Sequence, residues 1–224
     1  GDDGSPRLVI TYNGEIYNFR ELRQELIDAG RQLRTNCDPE VLLHLYDVHG
    51  ADMVERLRGM FAFAIQDVAD HSLFLARDPF GIKPLYYADD GETIRVASQV
   101  KALRAGGAIA DTPDPAGHAG FFLLGYVPEP HTMYRAIKSL PAGTSLRIEA
   151  GGAPRIQQYF RLQDHYAGRT AAPAPGEMVE RLRAALSDSI RHHLVADVPV
   201  GVFLSAGLDS ATITALAAQV AGAS

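Results

Sequence analysis

The apolar run Val200-Gly201-Val202-Phe203-Leu204 passes without a break into Ser205-Ala206-Gly207-Leu208-Asp209-Ser210, and that into the helix-like Ala211-Thr212-Ile213-Thr214-Ala215-Leu216. A short apolar run, a small-residue loop and a helix start predict a buried strand, a tight turn and a helix, the unit from which α/β domains are built. Backbone N–H groups and the positive end of the helix would then face one point, where an anion such as a phosphate can be held. Ser205 and Ser210 can add hydroxyl donors, and Asp209 can hold a hard cation such as Mg2+. The segment predicts a chain that handles a nucleotide. The same six residues also fit an ordinary strand-to-helix turn in which Asp209 or Ser210 caps the helix. The spacing is not that of a Walker loop, and no lysine stands where such a loop places one on the terminal phosphates.

The rest of the chain sets the context for that loop. Arg7 to Tyr12 reads as a strand and Asn13-Gly14 as a turn. Asn18 is placed to cap a helix from Phe19 to Ala29, with Phe19, Leu22 and Leu26 on one face and Gly30 as its stop. Pro39 to His49 repeats the pattern, with Val41, Leu42 and Leu45 inward and Gly50 after the end. Met60 to Asp67, Ser72 to Arg77, Pro84 to Ala88 and Ile94 to Ala97 are short β-rich runs separated by turn residues, and predict an antiparallel meander. Val100 to Ala105 predicts a short helix, and Thr144 to Ile148 with Arg155 to Tyr159 a hairpin. Residues 164–176, with Gly168, Pro173 and Pro175 among alanines, have a linker's composition. Glu177 to His193 is amphipathic through Val179, Leu182, Leu186 and Ile190. The expected organisation is a domain over 1–163, a linker over 164–176 and the start of a second domain over 177–224.

With 224 residues and 46% hydrophobic content there is enough apolar material for a core. A net charge of −6, with basic residues scattered, argues against nucleic acid or an anionic membrane as the main partner. One cysteine, Cys37, cannot form an internal disulfide, and no run of about 20 apolar residues is present, so a cytoplasmic protein is expected. Both ends read as cut, because the first residue is not methionine and the last helix stops with nothing after it. A lone strand and helix with a phosphate loop would leave apolar faces uncovered, so a fragment of a longer protein is expected.

A second constellation stands near the start, where Asn13-Gly14-Glu15-Ile16-Tyr17-Asn18 is followed by Thr35-Asn36-Cys37-Asp38-Pro39-Glu40. A carboxamide N–H and a following glycine N–H aimed into one pocket can stabilise the oxyanion of acyl transfer. Asp38, at a helix start, can accept hydrogen bonds from an ammonium group. A hairpin turn and a helix cap account for the same residues without chemistry.

Five segments in order carry a resemblance. Asn13 to Asn18, Gly59 to Ala64, Arg77-Asp78-Pro79-Phe80-Gly81-Ile82-Lys83-Pro84-Leu85-Tyr86-Tyr87 and Ala97-Ser98-Gln99-Val100-Lys101-Ala102-Leu103 resemble the class II glutamine amidotransferase half of the glutamine-hydrolysing asparagine synthetases. Asp197 to Ser210 resembles the opening of their synthetase half, whose loop is of the ATP-pyrophosphatase type with Ala206 in place of one glycine. The resemblance implies an α+β N-terminal domain of the Ntn-hydrolase kind, with antiparallel sheets layered with helices. The beginning of an α/β ATP-pyrophosphatase-like domain would follow.

It also implies a ligase that hydrolyses glutamine and uses ATP and Mg2+ to adenylate aspartate, which ammonia then attacks, in a homodimer. Asn13 and Gly14 would form the oxyanion hole, and Glu15 and Asp38 would bind the polar groups of glutamine. Phe203 and Leu204 would lie by adenine, and Ser205, Gly207, Leu208, Asp209 and Ser210 would hold pyrophosphate, with Asp209 on the metal. The family's nucleophile, a cysteine at the mature N-terminus, is not in this sequence, and Cys37 is read as a buried or loop-packed thiol, so these 224 residues are expected to catalyse neither half-reaction. Two alternatives remain beside this reading. One is a related amidotransferase or ring-closing synthetase with another carboxylate acceptor, and the other a non-catalytic binding module. Arg77-Asp78 is read as bracing the loop that follows it.

Overall fold

The computed structural model describes residues 7–166 and 174–222. By its internal contacts the chain divides into two units, residues 1–162 and 163–224. In chain order the first unit holds β1 (Leu8–Ile16), α1 (Phe19–Asp28), α2 (Asp38–His49), a 3-10 segment (Gly50–Arg56), β2 (Gly59–Asp67), β3 (Ser72–Arg77), β4 (Tyr86–Asp89) and β5 (Ile94–Ala97). These are followed by α3 (Val100–Ala105), α4 (Pro115–Leu124), β6 (Ile137–Ser139), β7 (Thr144–Ile148) and β8 (Arg155–Gln158), while α5 (Leu162–Tyr166) starts at its boundary.

The strands form two sheets in which every pairing is antiparallel, ordered β1-β2-β3-β7-β8 and β5-β4-β6. Alternation along the strands decides the layering. Phe61, Phe63 and Ile65 of β2 and Phe74 of β3 face one side of the larger sheet, where Leu22 and Leu26 of α1 and Val41, Leu42 and Leu45 of α2 close over them. The residues between them, Ala62, Ala64 and Leu75, face the other side and meet Leu85, Tyr87 and Val96 of the smaller sheet region. The outer face of that sheet, through Ala88 and Ile137, takes Leu103 of α3. The result is an α+β unit of four layers: helices, sheet, sheet, helix. Each fully buried large side chain such as Phe74 contributes about 1.5–3 kcal/mol to holding the layers together.

Three local expectations are corrected. Asn13-Gly14 is not a turn, because β1 runs straight through it to Ile16 and pairs with β2 over its whole length. The four β-rich runs are not one meander: β2 and β3 pair in the larger sheet, β4 and β5 in the smaller. The Pro79–Pro84 loop carries the chain from one sheet to the other. Asn18 makes no cap bond to α1. Its carboxamide instead donates to the Arg56 carbonyl at 3.0 Å and accepts the Arg58 N–H at 2.9 Å, tying the start of α1 to the approach to β2.

In the second unit α6 (Pro175–His193) and α7 (Leu208–Gly222) pack through Ile190, Leu216 and Ala217, with Leu186, Leu194 and Val220 around them. The strand expected over Val200–Leu204 does not form. Among the described residues this unit contains no strand with which that segment could pair, and unpaired backbone groups stay in water. Most of the expected 164–176 linker lies outside the described residues. Among the described residues, no helix is long and apolar enough to cross a membrane.

Candidate functional site

The candidate site is built on the edge of β1 that has no partner strand among the described residues. Tyr17 donates its N–H to the Arg58 carbonyl and Val68 donates to the Arg7 carbonyl, which continues the Leu8↔Asp67 to Ile16↔Gly59 register. In an antiparallel pair alternate residues turn both backbone groups toward the partner strand. The odd-numbered residues of β1 therefore bond to β2, and the N–H groups of Tyr12, Gly14 and Ile16 point outward from the sheet edge.

Asp38, the first residue of α2, comes to that same edge. Its Oδ2 accepts the Ile16 N–H at 3.2 Å and the Tyr12 hydroxyl at 2.5 Å. Among the described residues its other carboxylate oxygen takes no protein donor. Tyr12 is half-buried, and burial, with the hydrogen bond to Asp38 second, raises its phenol far above the usual tyrosine range. The hydroxyl therefore stays protonated and donates to Asp38. Replacing Tyr12 with phenylalanine is expected to cost about 1–2 kcal/mol in urea unfolding and to loosen Asp38, because a charged acceptor loses a partly buried donor. An unchanged midpoint would show that this bond holds nothing.

Asn13 and Glu15 stand on the opposite face of β1 from Tyr12, and both are exposed. The Asn13 Nδ2 donates to the Ser98 hydroxyl at 3.2 Å, across to the end of β5. Beside them the two sheets leave a recess of about 60 Å³, lined by Thr11, Asn13, Ala62, Ala64, Val96 and Ser98 among others.

Gly14 needs its missing side chain. A Cβ there would lie 2.2 Å from the Met60 carbonyl oxygen, and one on Gly59 would lie 2.1 Å from the Glu15 carbonyl oxygen. The two glycines let β1 and β2 approach closely behind the candidate oxyanion position. Phe61, opposite Gly14, is held in turn by Asp78. The Asp78 N–H donates to the Phe61 carbonyl at 2.8 Å. Its buried carboxylate accepts the N–H groups of Phe61, Phe80, Ile82 and Lys83 at 2.9–3.3 Å. The adjacent Arg77 guanidinium donates to the carbonyls of Lys83, Gly81 and Leu140 and pairs with Glu129. This is the bracing role expected of Arg77-Asp78.

Of the four residues expected to act on glutamine, Asn13, Gly14 and Asp38 gather at β1, and Glu15 projects beside Asn13 into solvent. Sequence reasoning missed Tyr12 and Ser98. Tyr12 fell at the end of the expected strand, and Ser98 lay in a segment already singled out. Cys37 is not buried but packs on its own loop, exposed, with its Sγ 2.9 Å from the Thr35 hydroxyl oxygen.

In the second unit Phe203, Leu204, Ser205, Gly207, Leu208 and Asp209 are all exposed. The Ser205 and Ser210 hydroxyls bond each other at 2.8 Å, Ser210 Oγ accepts the Ser205 N–H, and the Gly207 N–H donates to Ser205 Oγ. The loop's hydroxyls thus turn inward on one another, while the first N–H groups of α7 lack intrahelical acceptors and open to solvent. No group of three or more His, Cys, Asp or Glu side chains with metal-binding geometry is present among the described residues.

Comparison with known proteins gives this geometry its context. A family model described as a glutamine amidotransferase domain matches residues 3–160, and one described as asparagine synthase matches residues 181–223. Asparagine synthetase (glutamine-hydrolysing) 1 of Bacillus subtilis strain 168 is 37% identical over 210 residues, which cover 94% of this chain and 32% of that protein. Asparagine synthetase B (glutamine-hydrolysing) of Escherichia coli K12 is 37% identical over 216 residues, 95% of this chain and 33% of its own. A Mycobacterium tuberculosis H37Rv protein provisionally named asparagine synthetase (glutamine-hydrolysing) is 41% identical over 216 residues, with 94% of this chain and 33% of its own covered. The chain spans about a third of the length of these relatives. With the first of the two family models covering well over half of its residues, the chain belongs to the glutamine amidotransferase domain family.

Proposed function

We propose that the chain is the glutamine-using domain and the opening of the synthetase domain of a glutamine-hydrolysing asparagine synthetase, with the division near residues 164–176. The four-layer unit would be an Ntn-hydrolase-type glutaminase. The observation that carries the reading is the placement of the Asn13 carboxamide, the outward Gly14 N–H and the Asp38 carboxylate along one strand, β1, with Asp38 bonded to the Ile16 N–H, in a chain whose relatives bear that name.

Each group suits a different part of glutamine. Asp38, with one oxygen free, would take the α-ammonium, and Glu15 would add a second carboxylate beside it. The Asn13 and Gly14 N–H groups would receive the negative charge that develops on the amide oxygen, and being neutral they do so without titrating. Fixed donors of this kind favour the transition state over the ground state, because they are already oriented when the charge appears. Attack on the amide carbon is assigned to no residue of this chain.

In the second unit the N–H groups at the start of α7, with Ser205, Gly207, Leu208 and Ser210, would cradle the pyrophosphate of ATP once the paired hydroxyls turn outward. Phe203 and Leu204 would lie along adenine. Asp209 is a single carboxylate, so it fits Mg2+ only as a joint ligand with nucleotide phosphates, the usual way that ion is held. Aspartate would be the carboxylate activated by adenylation.

The test uses a protein that carries this chain at the length of its relatives. Asn13→Ala is expected to lower glutamine hydrolysis about 10²- to 10³-fold, the usual cost of one oxyanion donor. Asparagine formation from added ammonia should be unchanged. Glutamine hydrolysis at the unsubstituted rate would overturn the proposal for the first unit. Pyrophosphate release without aspartate dependence, across a panel of carboxylates, would overturn it for the second.

A further inference from the structure

We infer that Ser98 is a positioning residue for glutamine hydrolysis, acting only through Asn13; the inference rests on the reading of Asn13 as an oxyanion donor. The Asn13 side chain is exposed on the face of β1 that looks toward the smaller sheet, and an exposed carboxamide rotates freely unless something holds it. The contact that the structure gives its nitrogen is the Ser98 hydroxyl at 3.2 Å, from a residue 85 positions later in the chain.

Ser98 is itself well placed to hold a fixed point. It follows β5, whose Ala97 pairs with Tyr86 of β4, and it precedes α3 by two residues, so backbone on both sides is anchored. A carboxamide nitrogen carries two hydrogens. With one given to Ser98, the other is set in direction and remains for a ligand. The bond also joins the two sheets across the recess floored by Ala62 and Ala64, so the spacing of the sheets sets the orientation of the donor.

A serine that only supports the fold and a serine that aims Asn13 differ in how their loss combines with loss of Asn13. In the relative-length protein, Ser98→Ala is expected to lower kcat for glutamine hydrolysis about 10-fold or more, with KM within about 2-fold, because a misaimed donor costs transition-state stabilisation and not substrate binding. Ser98→Thr, which keeps the hydroxyl, should restore most of the rate. In the Asn13→Ala background the same Ser98→Ala change should have no further effect, since there is nothing left to aim. Ammonia-dependent asparagine formation reports in each variant that the protein is folded. An unchanged kcat in Ser98→Ala, or an equal loss with and without Asn13, would overturn the inference while leaving the glutaminase reading intact. Failure of Asn13→Ala to affect hydrolysis would instead remove the reading on which it rests.

Discussion

Gly14→Ala is expected to destabilise the first unit by about 3 kcal/mol or more, read as a lower midpoint in urea unfolding. The added methyl would have to occupy a point 2.2 Å from the Met60 carbonyl oxygen and 2.7 Å from the Phe61 Cα, both backbone atoms that cannot rotate away. Relief requires β1 to separate from β2, and with it the register that turns the Gly14 N–H to the open edge. Gly30→Ala is the control. Gly30 has φ +84, but nothing lies within 4 Å of its would-be Cβ, so only the left-handed conformation penalises alanine, at about 1 kcal/mol. If the two substitutions cost the same, the close approach of the strands has no energetic weight and the account of Gly14 is wrong.

Asp78→Asn is expected to cost a comparable amount, about 3 kcal/mol. The side chain is fully buried, and its two oxygens accept four backbone N–H groups, from Phe61 in β2 and from Phe80, Ile82 and Lys83 in the crossing loop. An asparagine of the same shape turns one oxygen into an NH2 group, so two of those donors would face another donor. The consequence extends to the site: the loop loses its hold on Phe61, the residue opposite Gly14. Urea unfolding with the paired substitution Arg77→Met checks the assignment. Arg77 braces the same loop from its carbonyl side, so the two losses should fall short of additive. Additive losses, or a stability unchanged by Asp78→Asn, would show that the loop stands without this anchor.

Much of the layered architecture could be read from the chain because period sets burial. Leu8, Ile10, Tyr12 and Ile16 alternate, and they line the helix-facing side of the larger sheet. Phe19, Leu22 and Leu26 recur at helical spacing and do the same from α1. What failed was what depends on distant partners. Asn13-Gly14 has turn chemistry, yet a glycine is also what a strand needs where another strand's carbonyl comes within contact of its Cα, and local sequence does not distinguish the two. Helix α4 was not anticipated, and glycines such as its Gly117 and Gly120 weaken any helical pattern. In the structure they are the positions where a Cβ would strike the Thr132 carbonyl and Pro128. Val200–Leu204 reads as a strand from its apolar run before a small-residue loop and a helix start, but a strand exists only with a neighbour.

The candidate site was legible in its residue types and not in its wiring. Asn13, Gly14 and Asp38 could be named from two short segments. Which N–H of β1 is free follows only from the pairing with β2, and the parts played by Tyr12 and Ser98 follow only from contacts 26 and 85 residues away.

The central claim is that a glutamine molecule seats at the open edge of β1. Titrating the 15N-labelled chain with L-glutamine and following the backbone amides and side-chain carboxamides tests it directly, even where affinity is weak. Saturable shifts at the Gly14 and Ile16 amides and at the Asn13 carboxamide, abolished by Asp38→Ala, are the predicted result. Shifts that saturate elsewhere and leave those three signals in place, or that survive Asp38→Ala unchanged, would contradict it.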